Sequence, residues 1–280
     1  MEIDLTSMPP TKLEATPTSP AFWSAGIRYA RSERGTAPVF RMGTDNMETS
    51  FTDNYDKSFL LDTMMGPNAM RVTEELASFL PIEEGMRILD LGCGMGISSI
   101  LLAQKYKATV FAADLLVSPT NNYKRFASLG LADRVFPIFM DATKPLPFAA
   151  EYFDMLICVG SFHYFGANKE MLPHLLPCVK RGGHIGVAVP GLKCDLSDDA
   201  KEKLPFDIPN VGLYSLSWWQ DLWRMEGAIR LGICREMRCV REAWEDWLTS
   251  QSPFAQQAVP EMLASVVKYF NLVQMIGQKI

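Results

Sequence analysis

The chain has 280 residues with an ordinary globular composition: 48% are hydrophobic, 21% are charged, and the formal net charge is -5. A chain of this length buries enough apolar surface to fold without disulfides or metals. The acidic balance disfavours nucleic acid as a partner, because a polyanion would be repelled. No apolar run reaches the roughly 18 residues that a membrane-spanning helix requires, and the acidic N-terminal residues are untypical of a signal peptide. The six cysteines are scattered without a C-x-x-C pair and only three histidines occur, which predicts reduced thiols, no metal site and a cytoplasmic location.

Residues 1–46 differ from the rest of the chain, because they carry several prolines and a basic patch and show no sustained hydrophobic period. This composition predicts a loosely ordered or vestigial extension. The aromatic residues Phe22, Trp23 and Tyr29 favour an alternative, in which the segment is a lid or an interface arm. We expect one folded domain over residues 47–280, with its body beginning near Phe51.

Two short helices are expected first, one around residues 59–65 and one over residues 67–80, where Pro67 is suited to a first helical turn. The chain then alternates between apolar strands and helices, which is typical of a parallel sheet covered by helices on both faces. The elements predicted in this part are the strands Arg87–Leu91, Thr109–Ala113, Val135–Met140, Phe153–Gly160 and His184–Val189, the helices Ser98–Tyr106, Pro119–Leu129 and Lys169–Val179, and a turn at Arg181–Gly183.

The pattern changes after Pro190. The elements predicted there are the helix Ser217–Glu226, the strand Ile229–Cys234, the helices Glu242–Trp247 and Val259–Phe270, and a last strand Leu272–Ile276. Trp218, Trp219 and Trp223 recur at helical spacing, so we expect them to pack in the core rather than to form a ligand cage.

The most informative motif is a turn with three alternating glycines, Gly92, Gly94 and Gly96, directly after the first predicted strand. A turn without side chains lets a ligand approach backbone N–H groups, particularly where a helix begins. A dinucleotide fingerprint would need Gly-x-Gly-x-x-Gly, but Ile97 stands where the third glycine of that spacing belongs. The turn therefore indicates an adenosine-type ligand and argues against a nicotinamide oxidoreductase.

Acidic residues end three consecutive strands of the predicted sheet: Asp90, Asp114 and Asp141. The carboxyl ends of parallel strands share one edge, where ligands of open α/β sheets bind. Asp114 is suited to accept from two ribose hydroxyls and Asp141 from an adenine amino group. Three carboxylates near one pocket favour a cationic ligand and would repel a pyrophosphate.

These features resemble the class I methyltransferases that use S-adenosylmethionine (SAM), within their broad small-molecule group, and the resemblance covers residues 51–280. Five segments carry it in family order: Leu89–Gly96, Asp114, Asp141–Ala142 with Pro145–Phe148, Phe153–Ile157, and Leu176–His184. The resemblance implies a Rossmann-like, doubly wound α/β sheet of seven strands, mostly parallel with an antiparallel last strand. It also implies helical cap elements from residues 47–80 and 191–270.

The resemblance further implies SAM as cofactor and assigns its binding residues. The methionine portion is expected at Asp90, Gly92, Cys93, Gly94 and Gly96. The ribose is expected at Asp114 and the adenine at Leu115, Asp141 and Ala142, while Tyr55 lies in a short aromatic segment like those that some relatives fold over the cofactor.

His163 follows the fourth predicted strand at the expected rim of the pocket. Methyl transfer is an in-line displacement that needs an aligned, deprotonated nucleophile, and a histidine with an ordinary pKa near 6.5 could remove the proton. The alternative is a histidine that is bonded to a loop carbonyl. Tyr164 is a second candidate, since an aromatic ring stabilises a nearby cation.

The function predicted from the sequence is transfer of a methyl group from SAM to a small-molecule N, O, S or C nucleophile. The alternative is a catalytically silent SAM-binding sensor or partner protein. Trp244 and Trp247 lie in a segment where relatives form substrate pockets and oligomer contacts. Its apolar, aromatic character favours a small organic acceptor, and a homodimer is a further possibility. The sequence does not identify the acceptor, because the acceptor is selected by the cap elements and not by the shared fold.

Overall fold

The computed structural model describes residues 50–197, 212–250 and 268–280. The predicted extension over residues 1–46 and most of the predicted helix over residues 259–270 lie outside these ranges.

The described residues form one seven-stranded sheet in the order β3-β2-β1-β4-β5-β7-β6. Strands β1 to β5 run parallel, and β7 is antiparallel to both β5 and β6. The strands are β1 Arg87–Leu91, β2 Thr109–Asp114, β3 Val135–Phe139, β4 Phe153–Val159, β5 Val179–Leu192, β6 Ile229–Glu236 and β7 Phe270–Lys279. This order and these directions confirm the fold that the sequence predicts.

Helices connect and cover the strands. They are α1 Lys57–Thr63, α2 Ala69–Ala77, α3 Ile97–Tyr106, α4 Pro119–Ser128, α5 Met171–Leu175, α6 Leu216–Arg224 and α7 Val240–Leu248, with short 3-10 turns at Phe162–Tyr164 and Leu176–Cys178. Within the described ranges, every helix is too short or too polar to cross a membrane.

The core has two layers, one on each face of the sheet, because side chains alternate along each strand. In β1, Ile88 belongs to the cluster on one face and Leu89 to the cluster on the other. Trp219 and Trp223 are fully buried in the second cluster, as their helical spacing predicts. The strands of the sheet are therefore held from both sides, which fixes the positions of their carboxyl ends.

Several predicted elements differ from the structure in their bounds, and three of these differences concern the local structure at a helix end or a turn. Pro67 lies outside α2, because Asn68 caps that helix with its side-chain oxygen and the helix begins at Ala69. The predicted helix Lys169–Val179 is shorter and ends in a 3-10 turn that contains Pro177. The predicted turn at Arg181–Gly183 is an irregular part of β5, where Gly182 has a φ of +75°.

Candidate active site at the carboxyl ends of the strands

The candidate site lies where the strand order reverses. The chain leaves β1 towards β2 and β3 on one side, whereas β4 and β5 extend the sheet on the other. A crevice forms outside the strand ends at such a switch point. The glycine turn follows β1, Asp114 ends β2, Asp141 follows β3, and His163 follows β4.

The glycines of the turn are required by close packing. Gly92 has a φ of +70°, and a Cβ atom there would lie 2.1 Å from Ser161 Oγ. Gly96 has a φ of +83°, and its Cβ would lie 2.4 Å from the ring of Phe126. A side chain at either position would meet both left-handed strain and a steric clash.

Most backbone N–H groups of the turn already have acceptors inside the protein. The N–H groups of Gly92 and Cys93 donate to the carbonyl oxygen of Ala113, and the Gly96 N–H donates to the carbonyl of Cys93. The Gly94 N–H donates to Asp114 Oδ2 at 2.8 Å. These four N–H groups therefore stabilise the turn itself, so fewer of them can donate to a ligand than the sequence suggests.

Asp90 lies behind the turn and is fully buried. Its Oδ2 atom accepts hydrogen bonds from the hydroxyl groups of Ser98 and Ser99, both at 2.6 Å, at the start of α3. Its Oδ1 atom is buried without a hydrogen-bond partner among the described residues. Burial raises the pKa of Asp90 to about 6, although the serine hydroxyls oppose this change, and the Asp114 carboxylate adds to it. The site thus holds a buried carboxylate with one oxygen available to a donor.

Asp114 and Asp141 have different surroundings. The Oδ1 atom of Asp114 accepts from the N–H groups of Leu116 and Val117, at 2.7 and 2.8 Å, so this nearly buried side chain shapes the loop after β2. Asp141 accepts from the backbone and hydroxyl of Thr143, and these hydrogen bonds lower its pKa. Both carboxylates keep unused lone pairs at the strand edge, because each oxygen can accept twice.

Two residues beside these acids differ in exposure. Leu115 directly follows β2 and is half-buried, whereas Ala142 directly follows Asp141 and is buried in the second core cluster. Leu115 can therefore contact a ligand at the edge more readily than Ala142 can in this conformation.

His163 is only 3% exposed, and its ring centroid lies 3.9 Å from that of Tyr164. The Nδ1 atom is buried without a hydrogen-bond partner among the described residues. Burial lowers the pKa of His163 to about 3, which differs from the ordinary value assumed from the sequence. The imidazole is therefore neutral at pH 7. Tyr164 is 46% exposed.

Tyr55 lies among Phe51 and Phe59 and lines a cavity of about 200 Å³ beside α1 and α2. Burial raises its pKa to about 12. Met65, two residues beyond α1, approaches the glycine turn, since a Cβ at Gly94 would lie 3.0 Å from its Sδ atom. The segment that contains Tyr55 thus leads through α1 to Met65, which lies beside the turn.

Three residues near the turn were not singled out from the sequence. Ser161 donates to the carbonyl of Leu91 at 3.1 Å, Asn122 donates to the carbonyl of Gly94 at 2.9 Å, and Arg125 donates to the carbonyl of Met95 at 3.1 Å. They come from 28 to 70 positions away in sequence, so no local pattern reveals them.

Asp154 lies at the opposite edge of the sheet. It accepts from the Arg87 N–H at 2.8 Å and from the Lys180 ammonium group, and thus ties β4 to its neighbours. These contacts give Asp154 a structural role. Trp244 and Trp247 are buried in the first core cluster, and their indole N–H groups have no hydrogen-bond partner within the described ranges.

Comparison with known proteins agrees with this geometry. Residues 88–183 match the family model described as a methyltransferase domain. The chain is 28% identical to methyltransferase GfsG of Streptomyces halstedii over 170 residues, which is 59% of this chain and 61% of that protein. It is 33% identical to a protein-L-isoaspartate O-methyltransferase of Thermococcus onnurineus over 100 residues, which is 35% of this chain and 44% of that protein. The chain thus spans less than two thirds of the length of these relatives.

Solved structures share the fold. A geranyl diphosphate C-methyltransferase from Streptomyces coelicolor, solved with S-adenosyl-L-homocysteine, superposes with a TM-score of 0.64 at 14% identity. That superposition covers 95% of this chain and 100% of the other. The strand order, the glycine turn with its neighbouring acids, and the match over residues 88–183 identify a methyltransferase domain that is similar to those of the class I SAM-dependent methyltransferases.

Proposed function

We propose that the protein transfers a methyl group from SAM to a small-molecule acceptor and releases S-adenosylhomocysteine. The observation that carries the proposal is the buried Asp90 carboxylate beside the glycine turn, whose Oδ1 atom has no donor among the described residues. SAM carries an ammonium group and a sulfonium, and a cationic ligand offsets the cost of burying this carboxylate.

The residues present fit SAM. Asp90 and the turn from Gly92 to Gly96 would hold the methionine portion, whereas Asp114 would accept from the ribose hydroxyls. Asp141 and Leu115 would contact the adenine, and Tyr55 would cover the site from the segment before α1. When bound, SAM supplies an electrophilic methyl group with a neutral leaving group, so no acid is needed on that side.

His163 can serve the acceptor in spite of its lowered pKa. An oxygen nucleophile becomes a very strong acid once it is methylated, so a neutral imidazole of low basicity can still take its proton. An amine becomes an ammonium of ordinary pKa, and such a group would keep its proton beside this imidazole. The neutral, weakly basic imidazole of His163 is therefore compatible with a hydroxyl or other oxygen acceptor.

The small-molecule class is supported by a structural neighbour. The structural neighbour from Streptomyces coelicolor is named for a small acceptor, geranyl diphosphate. The relative from Thermococcus onnurineus is by name an O-methyltransferase, although its acceptor is a protein.

Calorimetry with SAM and S-adenosylhomocysteine tests the proposal. We expect the wild type to bind both ligands and Asp114→Asn to bind at least about tenfold more weakly, since a hydrogen bond to a charged group contributes roughly 1.5–3 kcal/mol. Asp133→Asn is the matched control, because Asp133 is exposed and the charge change is the same. Binding of neither ligand by the folded wild type would overturn the proposal.

The acceptor can be identified by incubating the enzyme with isotopically labelled SAM and a metabolite extract, followed by mass spectrometry of labelled products. We expect labelled methyl ethers or esters. Tight SAM binding without any methylated product would instead favour the catalytically silent SAM-binding protein.

A further inference from the structure

Two side chains of α4 hold the backbone of the glycine turn. Asn122 is 1% exposed, and its Nδ2 atom donates to the carbonyl oxygen of Gly94 at 2.9 Å. Arg125 lies one helical turn further and donates to the carbonyl oxygen of Met95 at 3.1 Å. Arg125 also donates to Asn122 Oδ1, so the two side chains support each other. We call Asn122 and Arg125 the turn clamp.

The turn clamp acts on a rigid unit. The Gly94 carbonyl and the Met95 N–H belong to the same planar peptide, and the described chain has no cis peptide bonds. In a trans peptide these two groups point in opposite directions. Because Asn122 holds the carbonyl towards α4, the Met95 N–H is directed away from α4.

The Met95 N–H is the donor that the turn leaves unused. The N–H groups of Gly92, Cys93, Gly94 and Gly96 all have acceptors, whereas within the described ranges the Met95 N–H has none. Met95 itself is half-buried rather than sealed in the core. An N–H group that the fold orients without giving it an acceptor can donate to a bound ligand.

We propose that Asn122 and Arg125 are positioning residues, which orient the Gly94–Met95 peptide so that the Met95 N–H donates to the bound cofactor. This proposal rests on the proposed function, since the cofactor is the SAM molecule of that site. The two clamp side chains are hydrogen-bonded to the backbone of the turn. They therefore act by orienting the Gly94–Met95 peptide and not by contacting the reacting atoms.

Asn122→Asp tests the clamp with a nearly isosteric change, because the amide donor becomes a carboxylate oxygen that faces the Gly94 carbonyl. We expect SAM and S-adenosylhomocysteine to bind about tenfold more weakly, which is the size of one lost hydrogen bond. KM for SAM should rise by the same factor, with kcat at saturating SAM unchanged. Asn121→Asp is the matched control, since Asn121 is exposed on the same helix turn and gains the same charge.

Arg125→Gln provides a second variant that is less buried than Asn122, with Lys124→Gln as its control for the lost charge. We expect weaker SAM binding for Arg125→Gln and binding within twofold of the wild type for Lys124→Gln. Thermal unfolding of all four variants shows whether each one is folded. Weaker binding by a folded variant then reports a changed orientation of the Gly94–Met95 peptide. If Asn122→Asp does not fold, Arg125→Gln decides the outcome alone.

Nuclear magnetic resonance reads the proposed bond directly. In protein labelled with 15N-methionine, the Met95 amide peak is identified by its absence in Met95→Leu, and we expect S-adenosylhomocysteine to shift it and to slow its hydrogen exchange. The clamp proposal is overturned if the wild type binds the ligand but the Met95 amide does not respond, or if the folded clamp variants bind like their controls. A wild type that binds no adenosyl ligand overturns the proposed function instead.

Discussion

Replacing Asp90 by Asn changes how stability depends on pH. Both serine hydroxyls donate to the same oxygen, Oδ2, so an asparagine oxygen in that place keeps both hydrogen bonds. The substitution removes a buried charge whose other oxygen has no donor among the described residues. It also places a buried amide NH2 where Oδ1 stood, at a cost of about 1–3 kcal/mol that does not vary with pH.

The expected magnitude follows from the pKa, which is raised from 3.8 in the unfolded reference to about 6 in the folded protein. A raised carboxyl pKa means that the folded state binds more protons, so stability is lost as pH rises through the folded value. The charge on Asp90 costs about 3 kcal/mol at pH 8 and about half as much at pH 5, by this linkage relation.

Urea unfolding of the wild type and Asp90→Asn at pH 5 and pH 8 measures the difference. We expect the mutant to gain on the order of 1 kcal/mol relative to the wild type between these two pH values, because other titrating groups cancel in the comparison. Asp133→Asn, at an exposed position, should show no such gain. A stability difference that stays constant with pH, or that shrinks as pH rises, refutes the inferred charge state of Asp90.

Two further changes test the packing of the turn and the state of His163. Gly92→Ala should destabilise the protein by more than Gly130→Ala does. Both glycines have a φ near +70°, but of the two only Gly92 faces a neighbour, because its added Cβ would lie 2.1 Å from Ser161 Oγ. Urea unfolding measures both losses of stability; equal losses would contradict the steric reason, and adding Ser161→Gly to Gly92→Ala should restore part of the loss. His163→Asn should flatten the loss of stability between about pH 6.5 and pH 3, since a neutral buried imidazole must be protonated on acid unfolding. It should also lower kcat with SAM affinity retained, and unchanged turnover would exclude His163 from proton transfer.

The central strands were predictable because their sequence signal is local. A strand buried on both faces is a continuous apolar run, and an acid or a glycine marks its end. Such signals placed β1 without error and β2 within one residue. The shared location of the acids at the carboxyl ends of these strands then follows from the topology, because parallel strands end at the same edge of the sheet.

Other features depend on contacts between distant segments. The Gly182–Gly183 pair predicts a turn, but in the structure the chain forms an irregularity there within β5. A Cβ atom at Gly183 would lie 2.7 Å from the carbonyl oxygen of Asp154. The bond from Asn122 to Gly94 joins a helix to a turn 28 residues earlier. The low pKa of His163 likewise depends on burial that the sequence alone does not express.

The charge of Asp90 connects stability with ligand binding at this edge. Within the described ranges its Oδ1 has no donor, so the folded protein carries an unfavourable buried charge at neutral pH when no cation is near. A ligand ammonium beside that oxygen would lower the folded pKa and remove part of the cost, so SAM should stabilise the wild type more at pH 8 than at pH 5. Asp90→Asn has no such charge to compensate, and its stabilisation by SAM should be weaker and nearly independent of pH. Equal stabilisation of both proteins by SAM at pH 8 would mean that the ammonium lies elsewhere and that Asp90 serves only to hold the start of α3.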